Sequence, residues 1–244
     1  MATRFYLPST GAADVSPDYS TGWELTSGAA RRKCVTTKIS SAMTDFGVAE
    51  TSGSGDYDVL IAQYVSAPID GAGTLSGTFY GLVRAMESDV AGELASQITV
   101  KVVSNDGATV RGTPLALDTG GGGDEWPITT ALSKWQPRAA WLDNPVAITS
   151  VDYQDGDRIV IEIGYRAHNW SATSYTGTER FGDASASDLT DEDQSADNNP
   201  WCEFSATLSF QAGGQEFTRA VNDTGSTSES TVRGATLGRK VGWQ

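Results

Sequence analysis

The stretch Asp155-Gly156-Asp157-Arg158-Ile159-Val160-Ile161-Glu162-Ile163-Gly164-Tyr165 decides the fold. A polar turn opens it, and β-branched residues then run on almost without a break. Arg158, Val160, Glu162 and Gly164 alternate with Ile159, Ile161, Ile163 and Tyr165, a period of two that sets the isoleucines and the tyrosine on one face. A strand built this way must bury that face against a second sheet. The chain therefore reads as an all-β sandwich, with its function to be sought on surfaces and loops.

Other runs agree. Residues 34–39 form a plausible first strand, and 57–65 a stronger one that stops before Pro68 and the Asp70-Gly71 turn. Residues 74–86 are rich in β-formers. Residues 98–103 and 109–115 flank Asn105-Asp106-Gly107 and predict a hairpin, because an Asp-Gly turn accepts positive φ. Cys202, Phe204, Ala206, Leu208 and Phe210 share one face and predict a last core strand over 202–210. Residues 87–97 hold at most a helical turn. Gly120 to Gly123 reads as a linker, since it lacks the Lys and Ser/Thr that follow the glycines of a phosphate-binding loop. The long polar stretch from Asn169 to Asn199 reads as loop.

The chain has 244 residues, 39% of them apolar, enough for one sandwich with a real core. A formal charge of −14 argues against nucleic acid and against an anionic membrane surface, since both need clustered Lys and Arg. Divalent cations stay open as partners. No run approaches the ~18 apolar residues of a membrane span, and no basic-then-apolar leader is seen, so the expectation is a soluble protein made in a cytoplasm. Cys34 and Cys202 allow one disulfide but do not imply it. Residues 1–33 read as an N-terminal arm, 34–211 as the sandwich and 212–244 as an extended tail. The tail bears Arg219, Arg233, Arg239 and Lys240 against Glu216, Asp223 and Glu229, a formal +1 beside an acidic body.

Several residue groups could carry chemistry. Asp183, Asp188, Asp191, Glu192, Asp193, Asp197 and Glu203 stand together with no basic residue between them. Hard cations take several oxygen ligands, so Asp188, Asp191 and Asp193 are candidates for Ca²⁺, against the plainer account of a solvated acidic loop. Asp157 and Glu162 could form the carboxylate pair of a glycoside hydrolase, though an exposed charge on the solvent face is the commoner explanation. His168 would have to serve any Ser–His–Asp arrangement, and no nucleophile elbow accompanies it. Trp126, Trp135, Trp141, Trp170 and Tyr175 could stack on sugar rings, though large aromatics more often anchor a core or an interface. With no firm catalytic signature, the chain is expected not to be an enzyme and to need no cofactor, Ca²⁺ excepted.

Scattered motifs resemble a group of tailed-bacteriophage and prophage virion proteins. They are Arg4-Phe5-Tyr6-Leu7-Pro8-Ser9, Val15-Ser16-Pro17, Gly22-Trp23, Ser76-Gly77-Thr78, Arg84-Ala85-Met86-Glu87-Ser88, Ser104-Asn105-Asp106-Gly107, Arg111-Gly112-Thr113, Gly156-Asp157-Arg158, Phe181-Gly182-Asp183, Asp188-Leu189 and Asn199-Pro200-Trp201 with Phe204. Their order over residues 2 to about 210 carries the resemblance. It implies a jelly-roll-like antiparallel sandwich and a structural role in a virion, as a capsid decoration or cement protein or a tail module. Partners would be capsid or tail proteins and copies of the chain. They would be gripped through Phe5, Tyr6 and Leu7 at one end and Phe217, Arg219, Arg239, Lys240 and Trp243 at the other. The alternative is a lectin-like module, Ca²⁺-dependent or not, for a host glycan.

Overall fold

The computed structural model describes residues 2–50, 55–118, 125–128, 145–168, 173–190 and 197–211, and the backbone of 136–139. The strands lie in the first of two units, Met1–Gly213; the second, Gly214–Gln244, is outside the described residues. Among the described residues the strands are, in order, β1 Thr3–Tyr6, β2 Ala30–Lys33, β3 Ser41–Ala49, β4 Tyr57–Val65, β5 Gly73–Glu87, β6 Leu94–Val103, β7 Val110–Leu115, β8 Gln136–Ala139, β9 Val146–Tyr153, β10 Arg158–Ala167, β11 Thr176–Asp183 and β12 Trp201–Phe204. One 3-10 turn, Val90–Gly92, is capped by the Asp89 carboxylate accepting from the Ala91 N–H. It takes up the helical turn expected within 87–97.

The strands form two sheets, and the molecule is an all-β sandwich. One sheet runs β2-β4-β10-β6-β7, with β2 parallel to β4 and the other pairs antiparallel. The other is organised on β5. That strand's 15 residues are long enough for β9 and then β8 to take one flank, and β12 and then β11 the other. β1 continues outward from β12 and β3 from β11. Between the sheets lie Ile159, Ile161, Ile163 and Tyr165 of β10, Ile98, Val100 and Val102 of β6, and Phe79, Val83 and Phe181 from the facing sheet. The decisive stretch does what its period dictates. Gly164 sits where β10 and β4 slip register, and a Cβ there would overlap the Val59 carbonyl oxygen, so the bulge needs glycine.

The hairpin at Asp106-Gly107 is present. Val103 pairs with Val110, Gly107 has φ +78°, and the Ser104 N–H donates to the Thr109 carbonyl across a loop longer than two residues. Three expectations need correction. The segment over 34–39 is not a strand; the strand lies just before it, as β2. The last core strand stops at Phe204, because the Ser205 N–H turns to the Thr78 carbonyl. The segment read as an arm is part of the body: β1 joins one sheet and β2 the other. Cys34 and Cys202 are both buried free thiols, and burial pushes both well up.

Candidate functional site

The densest polar construction lies on the outer face of the sheet that holds β10. Glu162 points away from the core, yet it is fully buried rather than exposed. Residues 14–25 cross above it. Its carboxylate accepts from the Trp23 indole N–H (2.8 Å), the Ser20 backbone N–H (3.1 Å) and the Gln63 amide (2.9 Å), and it pairs with the Lys101 ammonium at 3.0 Å. Lys101 also donates to the Asp18 carbonyl. Arg31 and Gln63 both donate to the Pro17 carbonyl. Four residues further along β10, Arg166 grips Asp58 through two contacts, at 2.5 and 2.8 Å, and the Asp58 N–H donates to Glu24. At the other end Arg158 reaches Asp14 and the Ser66 carbonyl. Every charge removed from water here has an opposite charge or several hydrogen-bond partners, which is what makes its burial tolerable.

A cavity of about 350 Å³ adjoins this network, lined by Asp18, Tyr19, Ser20, Thr99, Lys101 and Thr113. A wider hollow of about 580 Å³ lies by the hairpin, beside Asp106, Arg111, Asp155 and Asp157. There Asp157 is closed by Arg111 (3.1 Å) and the Gln154 N–H (2.8 Å). The carboxylate pair suggested by sequence is therefore not a free pair: Asp157 and Glu162 are each saturated by their own donors.

The ion-binding candidates are also accounted for differently. Asp188 is held by Arg4 at 2.7 Å and Lys38 at 2.6 Å, with the Tyr6 hydroxyl beside it. Its partial burial would raise its pKa, but these two cations outweigh that and hold it below the usual carboxylate range. Arg4 bridges on to Glu203 at 2.9 Å and lies over the Trp201 ring. Asp188 thus ties β1 to its surroundings through two cations. Asp191 and Asp193 lie outside the described residues. Among the described residues no group of three or more His, Cys, Asp or Glu is placed to hold a metal ion.

Phe5 and Leu7 are 1% and 0% exposed, with Phe5 edge-on to Phe204 and Phe210, so they belong to the protein's own core and are not available to a partner. Tyr6 is half-buried against the Leu82, Leu189 and Trp201 cluster. Phe217, Arg219, Arg239, Lys240 and Trp243 lie outside the described residues. Trp126, a candidate for sugar stacking, is instead a core residue. It is 1% exposed, edge-on to Tyr165, and its indole N–H donates to Ser96 Oγ at 2.9 Å. Tyr175 is half-buried, and Trp135, Trp141 and Trp170 are outside the described residues.

One rim gathers His168, which the sequence singled out, with buried acids that sequence reading passed over. β3, β5 and β10 end there, and β4, β6 and β11 begin there, as the pairs Thr176–Ala49, Gly177–Glu87, Ala167–Tyr57 and Ala167–Leu94 require. His168 places its Nδ1 2.8 Å from Asp56. Glu50 is fully buried beside Tyr175, and Glu87, 1% exposed, accepts from the Leu94 N–H at 2.9 Å. No periodic signal in the sequence marks these acids, because each sits at a strand end.

No family model matches the chain, and no curated protein does. Among solved structures it is similar to an aminopeptidase from a marine sediment Thaumarchaeota archaeon (TM-score 0.46, 9% identity, 84% of this chain and 36% of that one). It is also similar to an alpha-amino acid ester hydrolase (TM-score 0.41, 9% identity, 83% and 36%). A third is the structure of infectious bursal disease virus Gx strain (TM-score 0.25, 11% identity, 66% and 35%). The chain spans about a third of the length of each. Beside two hydrolases, the expectation that the chain is not an enzyme is withdrawn, although likenesses at these scores assign it no activity.

Proposed function

We propose that the chain is a structural subunit of a virion-type assembly, a rigid acidic sandwich fastened to neighbouring subunits through residues 213–244. The observation that carries this reading is the separation of charge along the sequence. Residues 213–244 carry a formal +1 and the rest of the chain −15, together the total of −14. An acidic body resists its own copies at a distance, and a basic extension draws one copy toward the next. The N-terminal segment is woven into both sheets and so is not free to grip a neighbour, which turns the reading toward 213–244. The ordered motifs that resemble phage virion proteins support this kind of assembly.

The test is deletion of residues 213–244, followed by sedimentation of the purified chain and by its incorporation into particles. The truncated chain is expected to remain a folded monomer and to drop out of particles. The intact chain should associate less as salt is raised. Unchanged occupancy after truncation would remove 213–244 as the attachment and the reading with it.

A further inference from the structure

The segment Glu125–Ile128 lies against the rim through contacts with the end of β5 and the start of β6. The Trp126 N–H donates to the Leu94 carbonyl at 2.7 Å, the Glu87 N–H donates to the Pro127 carbonyl at 3.2 Å, and bridges join Ala95 to Glu125 and Glu87 to Ile128. Trp126 packs edge-on against Tyr165 and close to Gly177. Beside this plug stands a pair of acids. Glu87 is 1% exposed; its Oε2 accepts from the Leu94 N–H, while its Oε1 is sealed from solvent with no N–H or hydroxyl donor among the described residues. The carboxyl in hydrogen-bond reach of Glu87 is that of Glu125, on the plug itself. Two carboxyls can hydrogen-bond only if one of them carries a proton.

We propose that a proton shared between Glu87 and Glu125 latches the Glu125–Ile128 segment into the rim, and that its loss turns the contact into a repulsion that frees the segment and withdraws Trp126. Other titratable groups surround the pair. They are Asp89 on the 3-10 turn, Tyr175 ahead of β11, which lies close to Glu87 Oε2 across Gly92, Glu50 bonded to the Tyr175 N–H, and the buried Glu179 two pairs further in on β11. Burial first raises the Glu87 carboxyl; the Leu94 N–H pulls the other way, and Glu125 and Asp89 raise it further, to about 7. A carboxyl raised in the folded state keeps its proton while the unfolded chain loses one. The latch therefore contributes fully below the ordinary value of 4.5, and its contribution is lost as pH rises through about 7.

The experiment follows the Trp126 indole N–H by ¹⁵N–¹H NMR on the full chain from pH 5 to pH 8.5, with exchange normalised to the free indole at each pH. Protection is expected to fall by about tenfold or more around pH 7. Glu125→Gln, whose amide donates to Glu87 with no proton to lose, should abolish the step and keep protection high at pH 8.5. Glu87→Gln is the second variant, should the first fail to fold, and should behave the same way. A flat wild-type profile, or a step that persists in both variants, would overturn the latch. So would a wild type whose protection at pH 8.5 is restored by millimolar CaCl₂, since a cation would then be the bridging group.

Discussion

β10 and β11 are both strands with little exposure, and they treat buried charge in opposite ways. β10 is buried at every position and β11 at six of eight. On the outward face of β10, Arg158, Glu162 and Arg166 each meet named partners supplied by residues 14–25 or by neighbouring strands. On β11, Arg180 finds Asp45 at 2.6 Å, but Glu179 turns into the core, and both its oxygens are buried with no hydrogen-bond donor among the described residues. Burial alone pushes the Glu179 carboxyl well above its ordinary range, so the core holds it neutral. Burial is nearly equal in the two strands; what differs is whether the rest of the chain supplies donors. One strand is a clamp built on satisfied charge, and the other carries a buried acid at a standing cost.

The contrast can be broken from the β10 side. Glu162→Ala leaves Lys101 buried beside a void and is expected to cost about 3–5 kcal/mol in urea unfolding. A loss under 1 kcal/mol would mean that residues 14–25 hold the outer face without the ion pair. From the β11 side the sign reverses. Glu179→Leu should raise stability by about 1–3 kcal/mol at pH 8. The gain should shrink toward pH 4.5, because the raised carboxyl weakens the wild type only once the unfolded chain ionises. A less stable variant at pH 8 would show that Glu179 has a donor after all. The smallest effect sharpens the comparison with a half-exposed network. Arg4→Ala, which loses Asp188, Glu203 and the Trp201 ring, should cost about 0.5–1 kcal/mol and less at high salt. The Glu162 effect should hardly change with salt.

The same contrast explains what could be read in the sequence. β4, β5 and β10 were legible because their apolar residues recur at a strand's period or as an unbroken run, and each was long enough to stand out. β11, Thr-Gly-Thr-Glu-Arg-Phe-Gly-Asp, looks like loop, because its buried positions include Glu179, Arg180 and Asp183 and no apolar stripe is left to see. β3 shows a polar, largely exposed pattern for a related reason: among the described residues it stands at the end of its sheet, paired with β11. The outward direction of Glu162 was legible; its cover was not, because residues 14–25 are irregular and come from some 140 positions away. β1 alternates correctly, but four residues with a partner about 200 positions distant resemble an arm until the partner is known. The acids at the rim were hidden for the simplest reason: Glu87 and Glu125 meet only once the sheets are stacked.

The pairing of Thr3 with Phe204 has a consequence during synthesis. At roughly 5–20 residues per second, a ribosome that has released Phe5 and Leu7 needs on the order of 10–40 s more to deliver the strand that receives them. For that interval the emerging chain offers two bare apolar side chains and an unzipped edge to whatever is near. Closure must then wait until almost the whole sandwich has been made, which puts this seam among the last to form and makes it the natural place for a holding chaperone to act.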